Sequence, residues 1–146
     1  MANSIQEIAA VSNLPLIEQN PILSPSYDRI TKQKVQGADG HYFLKTASLN
    51  DLPLLIAEKI GLEALTVAGD VKVPKVFFAG ETATCSFLVC EYLDLKKDNV
   101  FSGEILGKQL ALLHQNSNDS FGLGEDNWIG VKPTEESLEQ KLDKFF

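Results

Sequence analysis

The sequence predicts an α+β fold, in which an antiparallel sheet carries one packed helix, and three observations favour this class. Residues that alternate in polarity on both sides of a turn predict a β-hairpin, with strands over about 31–36 and 41–46. An apolar helical pattern follows over about 51–68. Two further strand patterns come next, at 73–80 and 87–93, and the second is expected to be central in the sheet.

The remaining signals of this region follow in chain order. A capping-box pattern at Ser4 and Glu7 predicts a short first helix. Three prolines between residues 14 and 25 predict an extended, irregular edge segment before the hairpin. Asn50 or Asp51 is expected to cap the central helix, whose nearly all-round apolar character predicts burial between layers.

Beyond the fourth strand the sequence predicts a change of domain. Charged and polar residues at 94–101 predict a hinge between a lobe at 1–93 and a helical region at 102–146. That region is expected to hold a helix at 102–117, a polar loop, and a last helix from about residue 134. Because the last helix ends on two phenylalanines, its apolar stripe is expected to dock on the preceding helix, on sequence beyond these residues, or on a second copy of the chain.

Charge and composition exclude several classes of function. The 146 residues carry a formal net charge of −7, which argues against nucleic acid or an anionic membrane surface as a partner. No apolar run approaches the roughly 18 residues of a membrane span, and the N-terminus shows no signal-peptide pattern. Cys85 and Cys90 are expected on opposite faces of one strand, remote from both histidines, so neither a disulfide nor a metal site is predicted. Two free thiols suit a reducing compartment, and we expect a cytoplasmic protein.

Lys45 and Glu58 form the candidate functional pair. Lys45 ends an apolar strand, and Glu58 lies on the apolar stripe of the central helix, four residues before Leu62. Glu63 has Lys59 at helical spacing, whereas Glu58 has no such local cation and needs one from elsewhere. A strand lysine paired with a helix glutamate holds ATP phosphates in kinase-like domains. The alternative is that both side chains are simply solvated.

Three segments carry a family resemblance: GHYFLK with AEKIGLEAL, VPKV with FLVCEYLDL, and LGKQLALLH with FGLGEDNWIG. Their order and spacing over roughly residues 40–134 resemble the N-terminal half of the fructosamine kinase (ketosamine-3-kinase) family. That family is related to aminoglycoside phosphotransferases and, more remotely, to protein kinases. The resemblance implies a protein-kinase-like N-lobe followed by the first helices of an incomplete C-lobe.

The resemblance also implies roles for particular positions. Lys45 would contact the ATP phosphates and Glu58 would orient it. Glu91, Tyr92 and Leu93 would form the hinge, where main-chain groups read adenine. ATP and Mg²⁺ would be the cofactors, and the substrate would be a ketosamine, either a small molecule or a glycated protein.

Two further family positions have alternative interpretations. Asp126, Asn127 and Trp128 would lie on a loop near the cleft, or would form a polar turn anchored by the tryptophan. His114 matches a family position, and we interpret it as a satisfied structural residue on the apolar face of its helix.

The sequence departs from the family pattern in two places. The glycine-rich loop is expected near 24–31, where no glycine occurs, so Ser24 and Ser26 are the candidate phosphate donors in place of backbone amides. The family's base and magnesium ligands follow a His-Gly-Asp motif, and none occurs in the 146 residues. We therefore expect the nucleotide-binding half alone, with no catalytic residue or metal ligand and no activity by itself.

Several functions stay open from the sequence. The first is ATP-dependent phosphorylation of the sugar of a ketosamine (a fructosamine or ribulosamine), which leads to loss of the adduct and repairs glycation. The second is a non-catalytic, truncated kinase remnant that binds nucleotide or a protein partner. The third is a small-molecule kinase of the aminoglycoside or choline type, and the last is an unrelated α+β domain with a chance Lys-Glu pair.

Overall fold

The structure, a computed structural model, describes two compact units. The described residues are 5–22, 29–66, 71–97, 102–117, 119, 127–129 and 132–134. One unit comprises Met1–Glu63 with Pro74–Lys96, and the other comprises Ala64–Val73 with Lys97–Phe146. Within the described ranges, every helix is too short or too polar to cross a membrane.

The first unit combines a five-stranded sheet with helical segments. In chain order its elements are α1 (Ile5–Ser12), β1 (Leu16–Ile22), β2 (Thr31–Gly37), β3 (Gly40–Ala47), a 3-10 helix (Leu49–Asp51), α2 (Leu52–Leu65), β4 (Val76–Glu81) and β5 (Ser86–Glu91). All neighbouring strands are antiparallel, in the order β1-β2-β3-β5-β4. The last strand in sequence therefore lies inside the sheet, which confirms the prediction of a central strand.

β2 and β3 form the predicted hairpin. Gly37 pairs with Gly40 across a two-residue turn, and Gly40 has a φ of +144°, which residues with a Cβ rarely adopt. Alternate residues of both strands are buried against one face. The other face carries Lys45, directly opposite Lys32.

The two faces of the sheet bury separate hydrophobic clusters. One packs against α1 and includes Ile8, Leu44 and Phe87. The other packs against α2 and includes Leu55, Leu88 and Cys90. The short first helix is predicted, but its packing on the sheet is not: α1 covers the face opposite α2, which would otherwise expose its apolar side chains to water.

The prediction that α2 is buried between two layers is wrong. Leu55 is the one fully buried residue among the 14 of α2, since the helix covers a single face of the sheet. Its start also differs from the expectation. The chain leaves Ser48 and passes through the 3-10 helix before α2 begins, so neither Asn50 nor Asp51 is the N-cap.

Part of the segment with three prolines, Leu16–Ile22, forms an edge strand, β1. It pairs with β2 through two shifts in register, one between Leu16 and Glu18 and one between Gln19 and Ile22. The second shift includes Pro21, which has no amide N–H for a regular ladder. The prediction of an irregular edge is therefore confirmed.

Both cysteines are buried and free. Cys90 lies in β5, whereas Cys85 precedes the first residue of that strand, so the prediction that one strand carries both is wrong. Cys85 belongs instead to a turn, where its amide N–H donates to the hydroxyl oxygen of Thr82 at 3.2 Å.

The second unit contains a helix and a small sheet. Its described elements are α3 (Ser102–Leu113), β6 (Asn127–Ile129) and β7 (Lys132–Thr134). β6 and β7 pair in antiparallel fashion, so the region predicted as a polar loop includes a short strand. α3 starts at the predicted residue and ends four residues before the predicted end at 117.

The last predicted helix is not described. Its proposed start, Thr134, belongs to β7. Residues 135–146, including Phe145 and Phe146, lie outside the described residues, and so does the first capping residue, Ser4.

Two glycines give opposite expectations for substitution by alanine. A Cβ at Gly37 would overlap the Tyr42 ring and lie 3.1 Å from the Pro15 carbonyl oxygen. Gly37→Ala should therefore lower the free energy of unfolding by about 1–2 kcal/mol through overpacking. Gly61, in α2, has open space around its Cβ position, so Gly61→Ala should raise that free energy by up to about 1 kcal/mol. Urea denaturation of both variants measures the difference, and equal effects would contradict it.

Candidate functional site

A cavity of about 390 Å³ lies in the first unit, on the sheet face that carries α2. This volume falls within the range of small-molecule sites in proteins. Its walls come from β3, α2, the segment before β4, and the end of β5 with the residues that follow it. The lining residues are Phe43, Lys45, Glu58, Leu62, Pro74, Cys90, Glu91, Tyr92, Leu93 and Leu95.

Lys45 reaches the cavity because successive side chains of β3 project to opposite faces of the sheet. Tyr42 and Leu44 are buried on the α1 side, so Phe43 and Lys45 project from the other face. The Lys45 ammonium lies 6.0 Å from the centroid of the Phe43 ring. A cation and an aromatic face therefore line the same cavity.

Glu58 meets Lys45 from the opposite wall. The Lys45 ammonium donates a hydrogen bond to the Glu58 carboxylate, which joins β3 to α2. The Lys45 and Glu58 side chains are 18% and 29% exposed, so the pair is partly shielded from water. The other acid of this helix, Glu63, accepts from Lys59 at 2.8 Å in an exposed pair. Helix α2 thus carries two ion pairs: the Lys59–Glu63 pair lies on the surface, and the Lys45–Glu58 pair faces the cavity.

At the end of β5, Glu91 is hydrogen-bonded to Lys75, whereas the Leu93 amide that follows has no described partner. The Glu91 amide N–H donates to the Lys75 carbonyl at 2.8 Å, and the Glu91 carboxylate accepts the Lys75 amide N–H at 3.2 Å. Farther along, the Leu93 carbonyl accepts from the Leu95 amide at 3.0 Å. Within the part of the chain that the structure describes, no hydrogen bond is formed by the Leu93 amide N–H. This segment can therefore offer a main-chain donor to a ligand.

Tyr92 lines the cavity and is held from outside it. The Lys34 ammonium lies 4.4 Å from the centroid of the Tyr92 ring. The His41 ring lies 6.1 Å from the same ring, at an interplanar angle of 51°. Neither Lys34 nor His41 belongs to the lining.

Cys90 forms a compact part of the cavity wall. Burial, reinforced by the nearby Glu58 carboxylate, raises the pKa of its thiol to about 11, although the Lys45 ammonium acts in the opposite direction. The thiol is therefore neutral at physiological pH. Since a neutral thiol behaves as a small hydrophobe, Cys90 adds apolar surface beside the charged pair.

The structure brings together five of the residues singled out from the sequence: Lys45, Glu58, Glu91, Tyr92 and Leu93. Sequence reasoning missed the apolar part of the lining. Phe43 could have been found, because it lies two residues before Lys45 and shares its face. Cys90 lies directly opposite Phe43 in the β3–β5 register, and that pairing is not visible in the sequence.

The other singled-out residues are not among the described residues that line this cavity. Ser24, Ser26 and Asp126 lie outside the described residues. Asn127 and Trp128 belong to β6 in the second unit, so their placement on a loop is wrong. His114 is exposed and follows the last residue of α3, so its interpretation as a core residue is also wrong.

The arrangement suits a flat, apolar group attached to an anion. The Phe43 ring and the Cys90 thiol give apolar surface, the Leu93 amide gives a donor, and Lys45 gives the positive charge. Of the two carboxylates in the lining, Glu58 is bonded to Lys45 and Glu91 to the Lys75 amide. Each carboxylate therefore already accepts a hydrogen bond in this arrangement. The lining suits a ligand that combines a flat apolar part with a negative charge.

Comparison with known proteins gives consistent matches. The family model "Fructosamine kinase" matches residues 9–146. A "Probable ketoamine kinase" from Klebsiella aerogenes is 37% identical over 106 residues, which cover 72% of this chain and 37% of that protein. A "Protein-ribulosamine 3-kinase, chloroplastic" from Arabidopsis thaliana is 33% identical over 97 residues, which cover 64% of this chain and 29% of that protein. The chain thus spans about a third of the length of these curated relatives.

Solved structures share the fold. A crystal structure named "Putative fructosamine-3-kinase", from Haemophilus somnus, matches with a TM-score of 0.82 over 97% of this chain and 50% of that one, at 23% sequence identity. A second, from Thermobifida fusca, gives 0.78 over 99% of this chain. The predicted α+β fold with a kinase-like N-lobe sheet is confirmed. Together with the family model, which spans nearly the whole sequence, these matches show that the chain belongs to the fructosamine kinase family.

Proposed function

We propose that this chain is the nucleotide-binding part of a ketosamine kinase, which uses ATP to phosphorylate the sugar of a ketosamine. The observation that carries the proposal is the Lys45–Glu58 ion pair inside a cavity that also includes the hinge residues Glu91, Tyr92 and Leu93. A lysine held by a helix glutamate suits phosphate binding, because the glutamate fixes the position of the ammonium. The family membership supports the same class of reaction.

In the proposed complex, adenine lies against the Phe43 ring and its edge faces the main chain of the hinge. The Leu93 amide donates to a ring nitrogen, and the phosphates extend toward Lys45. The apolar lining removes the base from water, while the charged end stays near the opening. When bound, ATP supplies the phosphoryl group, and Mg²⁺ would be held by groups outside this cavity.

The substrate is proposed from the named relatives. A ketoamine kinase and a ribulosamine 3-kinase are among them, so we propose a fructosamine or ribulosamine, either free or on a glycated protein. On this proposal residues 1–93 are the nucleotide lobe, 94–101 the hinge and 102–146 the start of the second lobe. Asn127 and Trp128 would lie on the substrate side, and the protein would act in the cytoplasm.

Calorimetric titration of the chain with ATP, ADP and adenosine tests the first part of the proposal. All three should bind, with ATP tightest, because the phosphates add the contact with Lys45. Failure of all three ligands to bind would sink the nucleotide proposal.

Incubation of the chain with ATP, Mg²⁺ and a panel of acceptors tests turnover. The panel is a ribulosamine, a fructosamine, an aminoglycoside and choline, with ADP release as the readout. We expect binding of ATP without turnover of any acceptor. Phosphorylation of the aminoglycoside or choline in preference to the ketosamines would replace the proposed substrate class.

A second candidate function is a non-catalytic module that binds nucleotide or a protein partner. One sequence fact favours it, because residues 24–31 contain no glycine. Both candidates expect ATP binding, so turnover separates them. Joining the chain to the C-terminal half of a fructosamine kinase relative should give ketosamine-dependent ADP release on the kinase proposal and none on the module proposal.

A further inference from the structure

We propose that Lys34 is a positioning residue for the nucleotide base, because its ammonium holds the Tyr92 ring as the outer wall of the cavity. This inference rests on the proposed nucleotide site and adds a residue to it from a strand that contributes nothing to the lining. The cation and the ring are 4.4 Å apart, within the distance at which an ammonium is attracted to an aromatic face.

The register of the sheet places Lys34 on the correct face. Lys34 lies directly opposite Phe43, and Phe43 lies directly opposite Cys90. Residues that face each other in antiparallel strands project to the same side, so these three residues form one row across β2, β3 and β5. Phe43 and Cys90 line the cavity, and Lys34 continues the row beyond its edge.

Tyr92 needs such a contact because its own segment is irregular. β5 ends at Glu91, and residues 92–97 form neither helix nor strand. The Tyr92 ring therefore depends on tertiary contacts, and the described ones are Lys34 and the tilted His41 ring. Through Tyr92, Lys34 ties the hinge segment to the β2–β3 hairpin. It thereby limits the positions that the neighbouring Leu93 amide can occupy.

Two other roles for Lys34 predict different results. If its ammonium contacted the phosphates directly, its loss would weaken ATP binding and leave adenosine binding unchanged. If Lys34 only stabilised the fold, its loss would lower the melting temperature and leave the affinity of the folded protein for both ligands unchanged. A positioning role through Tyr92 predicts an equal loss for ATP and adenosine, because the base is common to both ligands.

The test is calorimetric titration of ATP and adenosine into the chain and its variants. Lys34→Met should weaken both ligands by the same factor, about two- to fivefold, which corresponds to a partly exposed cation–aromatic contact. Lys34→Arg should restore binding, since a guanidinium can also lie over a ring. In the background of Tyr92→Leu, Lys34→Met should have no further effect. The matched control is Lys59→Met, which removes a lysine that pairs with Glu63 on the exposed side of α2, outside the cavity lining.

The outcomes separate this inference from the proposed function. Binding of neither ligand by the unchanged chain would remove both. Normal binding that Lys34→Met leaves unchanged, or weakens for ATP alone, would overturn the positioning role and leave the nucleotide site standing. An equal loss in the presence and absence of the Tyr92 ring would also overturn it.

Discussion

Replacement of Lys45 by methionine should weaken ATP binding by about 10- to 100-fold, the usual value of a hydrogen bond to a charged group. Among the described residues that line the cavity, Lys45 is the one cation. Methionine keeps much of the length and apolar stem of lysine and removes the ammonium. Adenosine has no phosphate, so its affinity should change by less than about twofold, since only a direct charge contact is lost.

Titration calorimetry with both ligands measures this effect, and the control is a second lysine on the same unit. Lys59 pairs with Glu63 on the exposed side of α2, 2.8 Å apart, and does not line the cavity. Lys59→Met should leave both affinities unchanged. A thermal melt checks that Lys45→Met is folded, because the substitution leaves Glu58 without its cation while that side chain keeps 29% exposure. Equal losses for ATP and adenosine would place Lys45 away from the phosphates.

The sequence was sufficient to pair Lys45 with Glu58 because each is a charged residue within an otherwise apolar pattern of its own strand or helix. One ends an apolar strand, and the other interrupts an apolar stripe without a local partner. The place where the sheet gives way to an irregular segment could be located for a similar reason, since the sequence changes there from apolar to charged residues. In both cases the signal is local, and the fold needs only to bring the elements together.

The parts that could not be predicted depend on pairing between distant strands. Cys90 joins the cavity because β5 pairs with β3 in one register, and a shift by one residue would turn its side chain to the other face. The position of α1 likewise depends on which sheet face is left uncovered. In the 3-10 entry to α2, Asp51 accepts a hydrogen bond from Arg29, 22 residues earlier, and sequence spacing does not reveal such a contact.

Replacement of Asp51 by alanine should lower the free energy of unfolding by about 2–3 kcal/mol, as expected when hydrogen bonds to a buried charged group are removed. Asp51 is 4% exposed. Its carboxylate accepts from the Arg29 guanidinium, with Nε at 2.7 Å, and from the Ser48 hydroxyl at 2.8 Å. Its amide N–H donates to the Ser48 carbonyl at 3.0 Å, and the Ser86 hydroxyl donates to that same carbonyl at 2.7 Å. Asp51 therefore joins the start of β2, the entry to α2 and the start of β5.

The pH dependence of stability gives this prediction a second readout. Hydrogen bonding by the Arg29 guanidinium, aided by Ser48, holds the pKa of the Asp51 carboxyl below its ordinary value, although burial acts in the opposite direction. A depressed pKa in the folded state means that the carboxylate stabilises the fold above the unfolded-state pKa of about 4. This contribution is lost as the pH falls through the folded-state pKa. Asp51→Ala should therefore lower the free energy of unfolding at neutral pH and make that free energy depend less on pH below about pH 4.

The two members of the pair should respond unequally. The Arg29 side chain is 39% exposed and can be hydrated when its partner is lost, whereas Asp51 has almost no access to water. Asp51→Ala should therefore lower stability mostly because hydrogen bonds to a buried charge are lost. Arg29→Met should lower stability for a different reason, because the Asp51 carboxylate stays buried with Ser48 as its remaining side-chain partner. Urea denaturation should show both variants destabilised, with Arg29→Met recovering stability at acid pH as Asp51 becomes protonated.

Glu104→Ala is the control, because the Glu104–Lys108 pair on α3 is 64% and 73% exposed and its loss should cost less than about 0.5 kcal/mol. If Asp51→Ala matched this control, the network would be a surface feature rather than the link between β2, α2 and β5.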